Sequence, residues 1–305
     1  MKRLGIVDLD TSHVVQFTMR INNLEEIDQE QWIDSDCRIV AGFKGDSEIT
    51  DAERLQEYTD KLVGWGVELV DSPEDMIGMV DGVLVESQGG KEHLAKARPF
   101  LEAGMPVYID KPFTCSVADG LEIKRLAEEN GVPVFSSSSL RYALEVQDVL
   151  ADSEGVGNVV GACAFSPAGL HDANPGLFHY GIHGVETLYA LMGPGCVELS
   201  CYFEEGGEVS VGRWADGRVG TVRGTRAGAH AYGFTVWGDK GVRLERIDAK
   251  YIYRELLKRV VQMFETGEAA LDLDETIEIV AFQEAALKSA HNGGAVTELE
   301  FSAPG

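Results

Sequence analysis

The sequence is poor in basic residues and in cysteine. Only 26 lysines and arginines stand against 51 aspartates and glutamates, which gives a formal net charge of −25. Nucleic acids and anionic membranes are bound chiefly through lysine and arginine, so neither is expected as a partner. The five cysteines are scattered and form no C-x-x-C pair, so neither a disulfide framework nor a structural zinc site is predicted.

Long apolar runs are also missing. No stretch approaches the ~18 apolar residues that span a bilayer. The apolar run at residues 4–7 is too short for a secretory signal segment. The sequence therefore predicts a soluble, cytoplasmic protein. Its 305 residues are enough for two domains, each with its own hydrophobic core.

Residues 1–135 alternate short β-rich runs with amphipathic helical stretches. Two of these stretches end at Gly104 and Gly131, and each glycine is followed within two residues by proline, which is typical of a helix stop. The alternation predicts a doubly wound parallel sheet, a Rossmann-like α/β domain over residues 1–140. Its strands are expected at residues 4–7, 38–43, 67–70, 82–85, 107–109 and 132–135.

The pattern changes after residue 140. Strands are predicted in succession, separated by glycine-rich turns and flanked by helices, which indicates an α+β domain with a mostly antiparallel sheet over residues 141–305. The strands are expected at residues 158–165, 197–203, 209–214, 219–225 and 231–237, and the helices at 177–192, 251–266 and 275–290.

The turn after the first strand carries acids where nucleotide-binding sheets have glycines. A G-x-G-x-x-G turn lets the backbone approach a pyrophosphate at a helix N-terminus, whereas this turn reads Asp8-Leu9-Asp10-Thr11-Ser12-His13. Thr11 or Ser12 can still cap the following helix, and its amides can bind an anion. Two other interpretations stay open: the carboxylates cap the helix, or the D-x-D pair resembles the nucleophile loop of haloacid-dehalogenase-type phosphatases.

A longer stretch carries a more specific pattern. The run Val83–Gln88 is followed by His93, by Asp110-Lys111-Pro112 and by Arg141, and a later segment spans Phe178–Glu186. Together they resemble the Gfo/Idh/MocA family of sugar and polyol oxidoreductases, in which Glu-Lys-Pro follows the fifth strand. The resemblance covers nearly the whole chain. It implies a dinucleotide-binding first domain and a second domain for substrate binding and oligomerisation.

The resemblance also implies a chemistry and a set of site residues. It predicts hydride transfer between NAD or NADP and a sugar, polyol or related hydroxylated small molecule. It places Lys111 beside the nicotinamide and the reacting oxygen and makes His183 the acid/base. His179 stands where the family has aspartate and is expected to take an altered supporting role in catalysis. The positions expected to bind the cofactor are Asp8, Asp10, Thr11, Ser12, His13, Lys44, Ser87, Gln88, His93, Asp110 and Lys111. Those expected to bind the substrate are Arg141, Tyr180 and His171.

Departures from the family pattern keep two other functions open. The acids of the first turn and the histidine at position 179 favour a cofactor-free sugar-binding or regulatory protein. On a helix, His179, His183 and Glu186 share one face, and with His171 nearby they also describe the metal site of a lyase or hydrolase.

Two further expectations concern the cofactor's phosphate and the assembly. Lys44 stands after the second strand, where an acidic residue usually binds the adenosine ribose. It is either a contact for the 2′-phosphate of NADP or an ordinary surface lysine. The resemblance implies a homo-oligomer, a dimer or tetramer, joined through the open face of the second domain's sheet.

Overall fold

The computed structural model describes residues 1–300, and these divide into two compact units. Unit 1 comprises residues 1–114, 118–137 and 253–273, and unit 2 comprises residues 115–117, 138–252 and the chain from residue 274. Residues 253–273 thus belong to unit 1, although they follow the boundary predicted near residue 140. Across residues 1–300, no helix combines the length and the apolar character needed to cross a membrane.

Unit 1 is built on a six-stranded parallel sheet in the order β3-β2-β1-β4-β5-β6. The strands are β1 (Lys2–Val7), β2 (Cys37–Phe43), β3 (Glu68–Val70), β4 (Gly82–Val85), β5 (Val107–Ile109) and β6 (Val134–Phe135). The helices, numbered along the whole chain, are α1 (Ser12–Ile21), α2 (Ala52–Gly64), α3 (His93–Glu102), α4 (Val117–Asn130) and α7 (Ile252–Thr266). The predicted doubly wound α/β fold is confirmed.

The strand order places a topological switch between β1 and β4. The chain proceeds from β1 outward to β3 and then crosses to β4 on the other side of β1. In open parallel sheets, ligands bind outside the carboxyl ends of the strands at such a switch. The turn at residues 8–13 and the residues after Val85 and Ile109 therefore occupy the edge where a ligand is expected.

Unit 2 contains a seven-stranded sheet in the order β12-β11-β7-β10-β9-β8-β13. Its strands are β7 (Val159–Pro167), β8 (Cys196–Glu204), β9 (Gly207–Trp214), β10 (Val219–Thr225), β11 (Gly233–Gly238), β12 (Val242–Arg246) and β13 (Thr297–Glu298). Its helices are α5 (Leu144–Ala151), α6 (Ile182–Met192) and α8 (Leu273–His291). Among the strand pairs of residues 1–300, only β7–β10 is parallel in this sheet, so the predicted mostly antiparallel sheet is confirmed.

Helix α6 begins later than predicted. A short 3₁₀ turn occupies Gly176–Phe178, and the α-helix starts only at Ile182. The chain passes tightly between them, because a Cβ on Gly181 would lie 2.9 Å from the Cα of Leu177. His179 therefore precedes the helix, and the helical spacing that was expected to align three polar residues joins only two.

Candidate functional site

The structure describes every residue of unit 1, and four of its acids are buried. All four lie at the carboxyl edge of the sheet. Asp8 and Asp10 belong to the turn after β1, Glu86 follows β4 and Asp110 follows β5. Buried carboxylates require cations or hydrogen-bond donors, because burial strips away the water that stabilises their charge. The partners of each acid therefore define the chemistry of this edge.

Asp8 adopts the backbone conformation that glycine usually supplies at the first position of a nucleotide-binding turn. Its φ is +64°, in the left-handed region that aspartate tolerates better than most residues. One carboxylate oxygen accepts a hydrogen bond from Ser87 Oγ, and the other lies 3.0 Å from Lys96 Nζ. Gly45 makes room for it, since a Cβ there would lie 2.0 Å from Asp8 Oδ1. The turn thus keeps its glycine-like path, and Asp8 is paired with a lysine.

Asp10 is held by uncharged donors. Its Oδ1 accepts from the Gln88 amide at 2.9 Å and its Oδ2 from Ser47 Oγ at 2.7 Å. Burial, opposed by these hydrogen bonds and reinforced by the charge of Asp8, raises the pKa of Asp10 to about 6. Asp10 therefore binds a proton at a pH where an exposed aspartate is ionised.

Asp110, His13 and Lys111 form a buried charged group at the end of β5. Asp110 Oδ2 lies 2.7 Å from His13 Nδ1 and 3.8 Å from Lys111 Nζ. Burial raises the pKa of Asp110, but the charges of His13 and Lys111 outweigh it and hold the pKa at about 2. The ring of His13 also packs on Phe17 and Tyr253, so its orientation is fixed from two sides. This group anchors the Lys111 ammonium at the carboxyl edge.

Glu86 is fully buried beside this group. Neither of its carboxylate oxygens has a hydrogen-bond partner among residues 1–300, and the same is true of Asp110 Oδ1. Burial and then the charge of Asp110 raise the pKa of Glu86 well above its ordinary value, against the opposing charge of Lys111. Glu86 was absent from the predicted site. The signal that could have found it is a carboxylate directly after the buried apolar strand Gly82–Val85.

Other predicted cofactor positions have different surroundings. Thr11 caps α1 by accepting from the His13 amide, and Ser12 is exposed at the first position of the helix. The ring nitrogens of buried His93 lie 2.7–2.9 Å from the carbonyl oxygens of Ser87 and Phe113. His93 therefore stabilises the loop after β4 through contacts with its backbone. Lys44 Nζ donates to Gln56 on α2.

An open cleft of about 350 Å³ adjoins the turn after β1. It is lined by Phe43, Gly45, Asp46, Ser47, Glu48, Glu92 and Lys96. Lys44 is not among these lining residues, which all belong to the described part of unit 1. Three of the lining residues are acidic. The cleft follows β2, which is where the adenosine ribose of a dinucleotide binds in doubly wound sheets.

In unit 2, His183 lies on the first turn of α6 and is almost completely buried. Its Nδ1 lies 2.7 Å from Ser138 Oγ, and its ring meets the rings of Tyr180 and Tyr232 edge-on at 5.7 Å. Three contacts therefore fix the ring plane. Ser138 and Tyr232 were missed from the sequence, because neither stands in a recognisable motif.

Arg141 and Glu186 form a buried ion pair rather than an open binding site. Arg141 Nε donates to Glu186 Oε2 at 2.7 Å, and Arg141 Nη2 lies 2.8 Å from Glu275 Oε1. The other oxygen of Glu186 accepts from the Ser138 amide at 3.0 Å. Burial lowers the pKa of Arg141, but the two carboxylates outweigh it and keep the pKa above its usual range.

His171 and His179 belong to a row of neighbouring rings that continues through Tyr180 to His183. The ring centroids of His171 and His179 are 5.5 Å apart, and His179 meets Tyr180 at 5.3 Å. Within residues 1–300, the one group of three or more side chains able to hold a metal ion is His13, Glu86 and Asp110. The alternative metal set of His179, His183 and Glu186 is thus not assembled, because Glu186 is engaged with Arg141 and Ser138.

Comparisons with known proteins agree with this fold. The profile of a family described as "Oxidoreductase family, NAD-binding Rossmann fold", Gfo/Idh/MocA, matches residues 49–138. The predicted resemblance to the Gfo/Idh/MocA family is confirmed. No curated protein matches the chain significantly.

Solved structures extend the likeness over nearly the whole chain. A probable dehydrogenase from Thermotoga maritima is 20% identical with a TM-score of 0.76, covering 97% of this chain and 98% of that one. A myo-inositol dehydrogenase from Corynebacterium glutamicum is 16% identical with a TM-score of 0.77, covering 98% and 99%. GenD2 from gentamicin A biosynthesis, solved with NAD, is 17% identical with a TM-score of 0.77, covering 98% and 96%. At these identities the likeness shows the fold.

The raised pKa of Asp10 gives a testable dependence of stability on pH. The folded state keeps a proton that the unfolded state releases above pH 3.8, so a penalty grows as the pH rises and is complete above about pH 6. Asp10→Asn removes it. Relative to wild type, the variant should gain up to about 3 kcal/mol of unfolding free energy between pH 4 and pH 7.5. Urea unfolding of both proteins across this range measures the gain, and a difference that does not change with pH would contradict the assignment.

The Arg141–Glu186 pair gives a second prediction. Glu186→Ala leaves a buried guanidinium with one carboxylate and should lower the unfolding free energy by about 3–5 kcal/mol. Glu198→Ala in the same unit removes the partner of half-exposed Arg213 and should cost less than about 1 kcal/mol. Chemical denaturation of the two variants makes the comparison. Equal losses would show that the buried pair is energetically ordinary.

Proposed function

We propose that this protein is an NAD-dependent oxidoreductase that transfers hydride between nicotinamide and a sugar, polyol or related hydroxylated small molecule. The observation that carries the proposal is the Lys111 ammonium, which Asp110 holds at the carboxyl edge of the unit 1 sheet. Lys111 lies within the segment that matches the profile of an NAD-binding oxidoreductase family. The relatives in structure include a myo-inositol dehydrogenase, which supports a polyol or sugar as the substrate class.

The turn after β1 fits a dinucleotide pyrophosphate better than its sequence suggests. Its backbone follows the glycine-like path at Asp8, and α1 begins directly after it. The first turn of α1, which the structure describes in full, contains no acidic residue. Lys96 offsets the charge of Asp8, and the high pKa of Asp10 lowers its average charge near pH 6. The amides at the start of α1 would hold the phosphates, and the bound group would supply the hydride acceptor.

The cleft after β2 supports NAD over NADP. Asp46 and Glu48 line it and can accept hydrogen bonds from the ribose hydroxyls, whereas a 2′-phosphate would meet their negative charges. Lys44, the one residue that favoured NADP in the sequence, donates instead to Gln56. We therefore assign the adenosine ribose to this cleft.

Lys111 and His183 are assigned the proton chemistry. The Lys111 ammonium stabilises negative charge developing on the substrate oxygen. In unit 2, His183 is held through Nδ1 by Ser138, so proton exchange with the substrate hydroxyl is assigned to Nε2. Tyr180 and Tyr232, whose rings border His183, are proposed to contact the substrate.

The other functions considered from the sequence are less well supported. The phosphatase interpretation needs reactive carboxylates, whereas Asp8 and Asp10 are buried and bonded to Ser87, Lys96, Ser47 and the Gln88 amide. The lyase or hydrolase interpretation needs a free Glu186, which is paired with Arg141. Arg141 is engaged in the same pair and is therefore assigned to structure rather than to substrate binding.

We also propose that the protein is a homo-oligomer joined through the open face of the unit 2 sheet. Strand alternation buries one face, whereas the other exposes Val219, Trp237, Val242 and Leu244. Trp237 pairs with Val242 on one side and with Gly161 on the other, and Gly161 pairs with Val219, so Val242, Trp237 and Val219 lie along one line across this face, with Leu244 two residues from Val242 on the same strand. An exposed apolar face of this kind is typical of a protein–protein interface.

Cofactor titration tests the proposed function. NADH binding, followed by nicotinamide fluorescence, should be tighter than NADPH binding by about tenfold or more. Asp46→Asn/Glu48→Gln should reduce this preference several-fold, because it removes the charges that oppose the 2′-phosphate. Glu53→Gln, which changes an exposed glutamate on α2, is the matched control. No binding of either cofactor at millimolar concentration would refute the redox function.

Light scattering coupled to size exclusion tests the assembly. Wild type should elute as a dimer or tetramer of the 33.1 kDa chain. Trp237→Ser/Leu244→Asp should shift the mass towards that of one chain, because it places charge on the exposed apolar face. Val296→Asp changes an equally exposed residue outside the sheet face and should leave the mass unaltered. A wild-type monomer would contradict the proposal.

A further inference from the structure

Glu86 is the one buried acid of unit 1 whose oxygens both lack a hydrogen-bond partner among residues 1–300. Asp8 has Ser87 and Lys96, and Asp10 has Ser47 and the Gln88 amide. An ionised carboxylate without a donor costs several kcal/mol when it is fully buried. Something beyond the described side chains must therefore compensate Glu86.

A second unpartnered oxygen lies at the adjacent strand end. Val85 pairs with Ile109 in the parallel sheet, so Glu86 and Asp110 follow neighbouring positions at the carboxyl edge. Asp110 Oδ2 is directed at His13 and Lys111, whereas Asp110 Oδ1 is buried and has no partner among residues 1–300. Lys111 therefore provides no partner for the buried oxygens of Glu86 or for Asp110 Oδ1.

The spacing of these groups matches a single ion. His13, Glu86 and Asp110 each offer a ligand atom, and the three atoms lie within 4.8 Å of one another. Metal–ligand bonds of about 2.0–2.2 Å span ligand atoms up to about 4.2 Å apart, so a small contraction closes the site. One imidazole nitrogen with two carboxylates is a donor set for Zn²⁺ or Mn²⁺ rather than for an all-oxygen Mg²⁺ site.

We propose that His13, Glu86 and Asp110 bind one divalent transition-metal ion at the carboxyl edge of the unit 1 sheet. The ion neutralises Glu86, which Lys111 does not reach as an ion-pair partner, and it joins the ends of β4 and β5 to the start of α1. This site shares no residue with the cleft after β2. It does not depend on the proposed redox function, because NADH binding is measured independently.

Metal titration of the full chain tests the site. Protein purified without a histidine tag and stripped with EDTA is titrated calorimetrically with Zn²⁺ and, separately, with Mn²⁺. At least one of them should bind with one site per chain. Glu86→Gln should weaken this site by at least about 100-fold, since loss of residues that merely orient metal ligands already costs about 10–100-fold. Glu102→Gln, an exposed glutamate on α3, should bind like wild type.

Two outcomes overturn the proposal. One is the absence of stoichiometric binding together with an infrared C=O band of a protonated carboxylic acid that disappears in Glu86→Gln, which would show that a proton compensates Glu86. The other is unchanged affinity in Glu86→Gln. If this variant does not fold, Co²⁺ added to the wild type decides the question. Visible absorption bands of protein-bound Co²⁺ at one equivalent support the site, and a spectrum of hydrated Co²⁺ alone refutes it.

Discussion

The constraint on which unit 1 depends is the burial of four carboxylates at one edge of a parallel sheet. Each acid is accommodated differently: Asp8 by Lys96, Asp110 by His13 and Lys111, and Asp10 by hydrogen bonds together with a pKa of about 6. Glu86 has no such partner among the described residues. Burying unpaired charge is among the most costly events in folding, so this arrangement of acids lowers the stability of unit 1.

This constraint also explains how a turn without glycines keeps the path of a nucleotide-binding turn. The glycines of such a turn serve the backbone, and Asp8 meets the same demand by adopting a positive φ. The space that its side chain needs comes from Gly45, one strand away. The side chain of Asp8 is therefore accommodated by a glycine after β2 and a lysine on α3, and the turn keeps this path although the glycine motif is absent.

The strands of unit 1 could be predicted because their sequence determines them locally. Apolar β-branched runs between helix stops gave most strand ends within two residues, and Asp110-Lys111 was correctly expected at the end of β5. The surroundings of the site could not be predicted, since they depend on chain segments far apart in sequence. Lys96 reaches Asp8 across 88 positions, and Tyr253 returns from α7 to pack on His13.

The predicted face of His179, His183 and Glu186 shows where local pattern fails. Helical spacing assumed that the helix began before His179, and it also assumed that a carboxylate near two histidines is available to a ligand. Helix α6 begins only at Ile182, which removes the first condition, and the guanidinium of Arg141 removes the second. Glu186, placed by sequence among the metal ligands, instead holds the segment of Ser138 and Arg141 against α6. Ser138 also contacts His183, so the buried ion pair stabilises the residue that orients the histidine ring. The function of this pair in unit 2 is therefore to hold the surroundings of His183 in place.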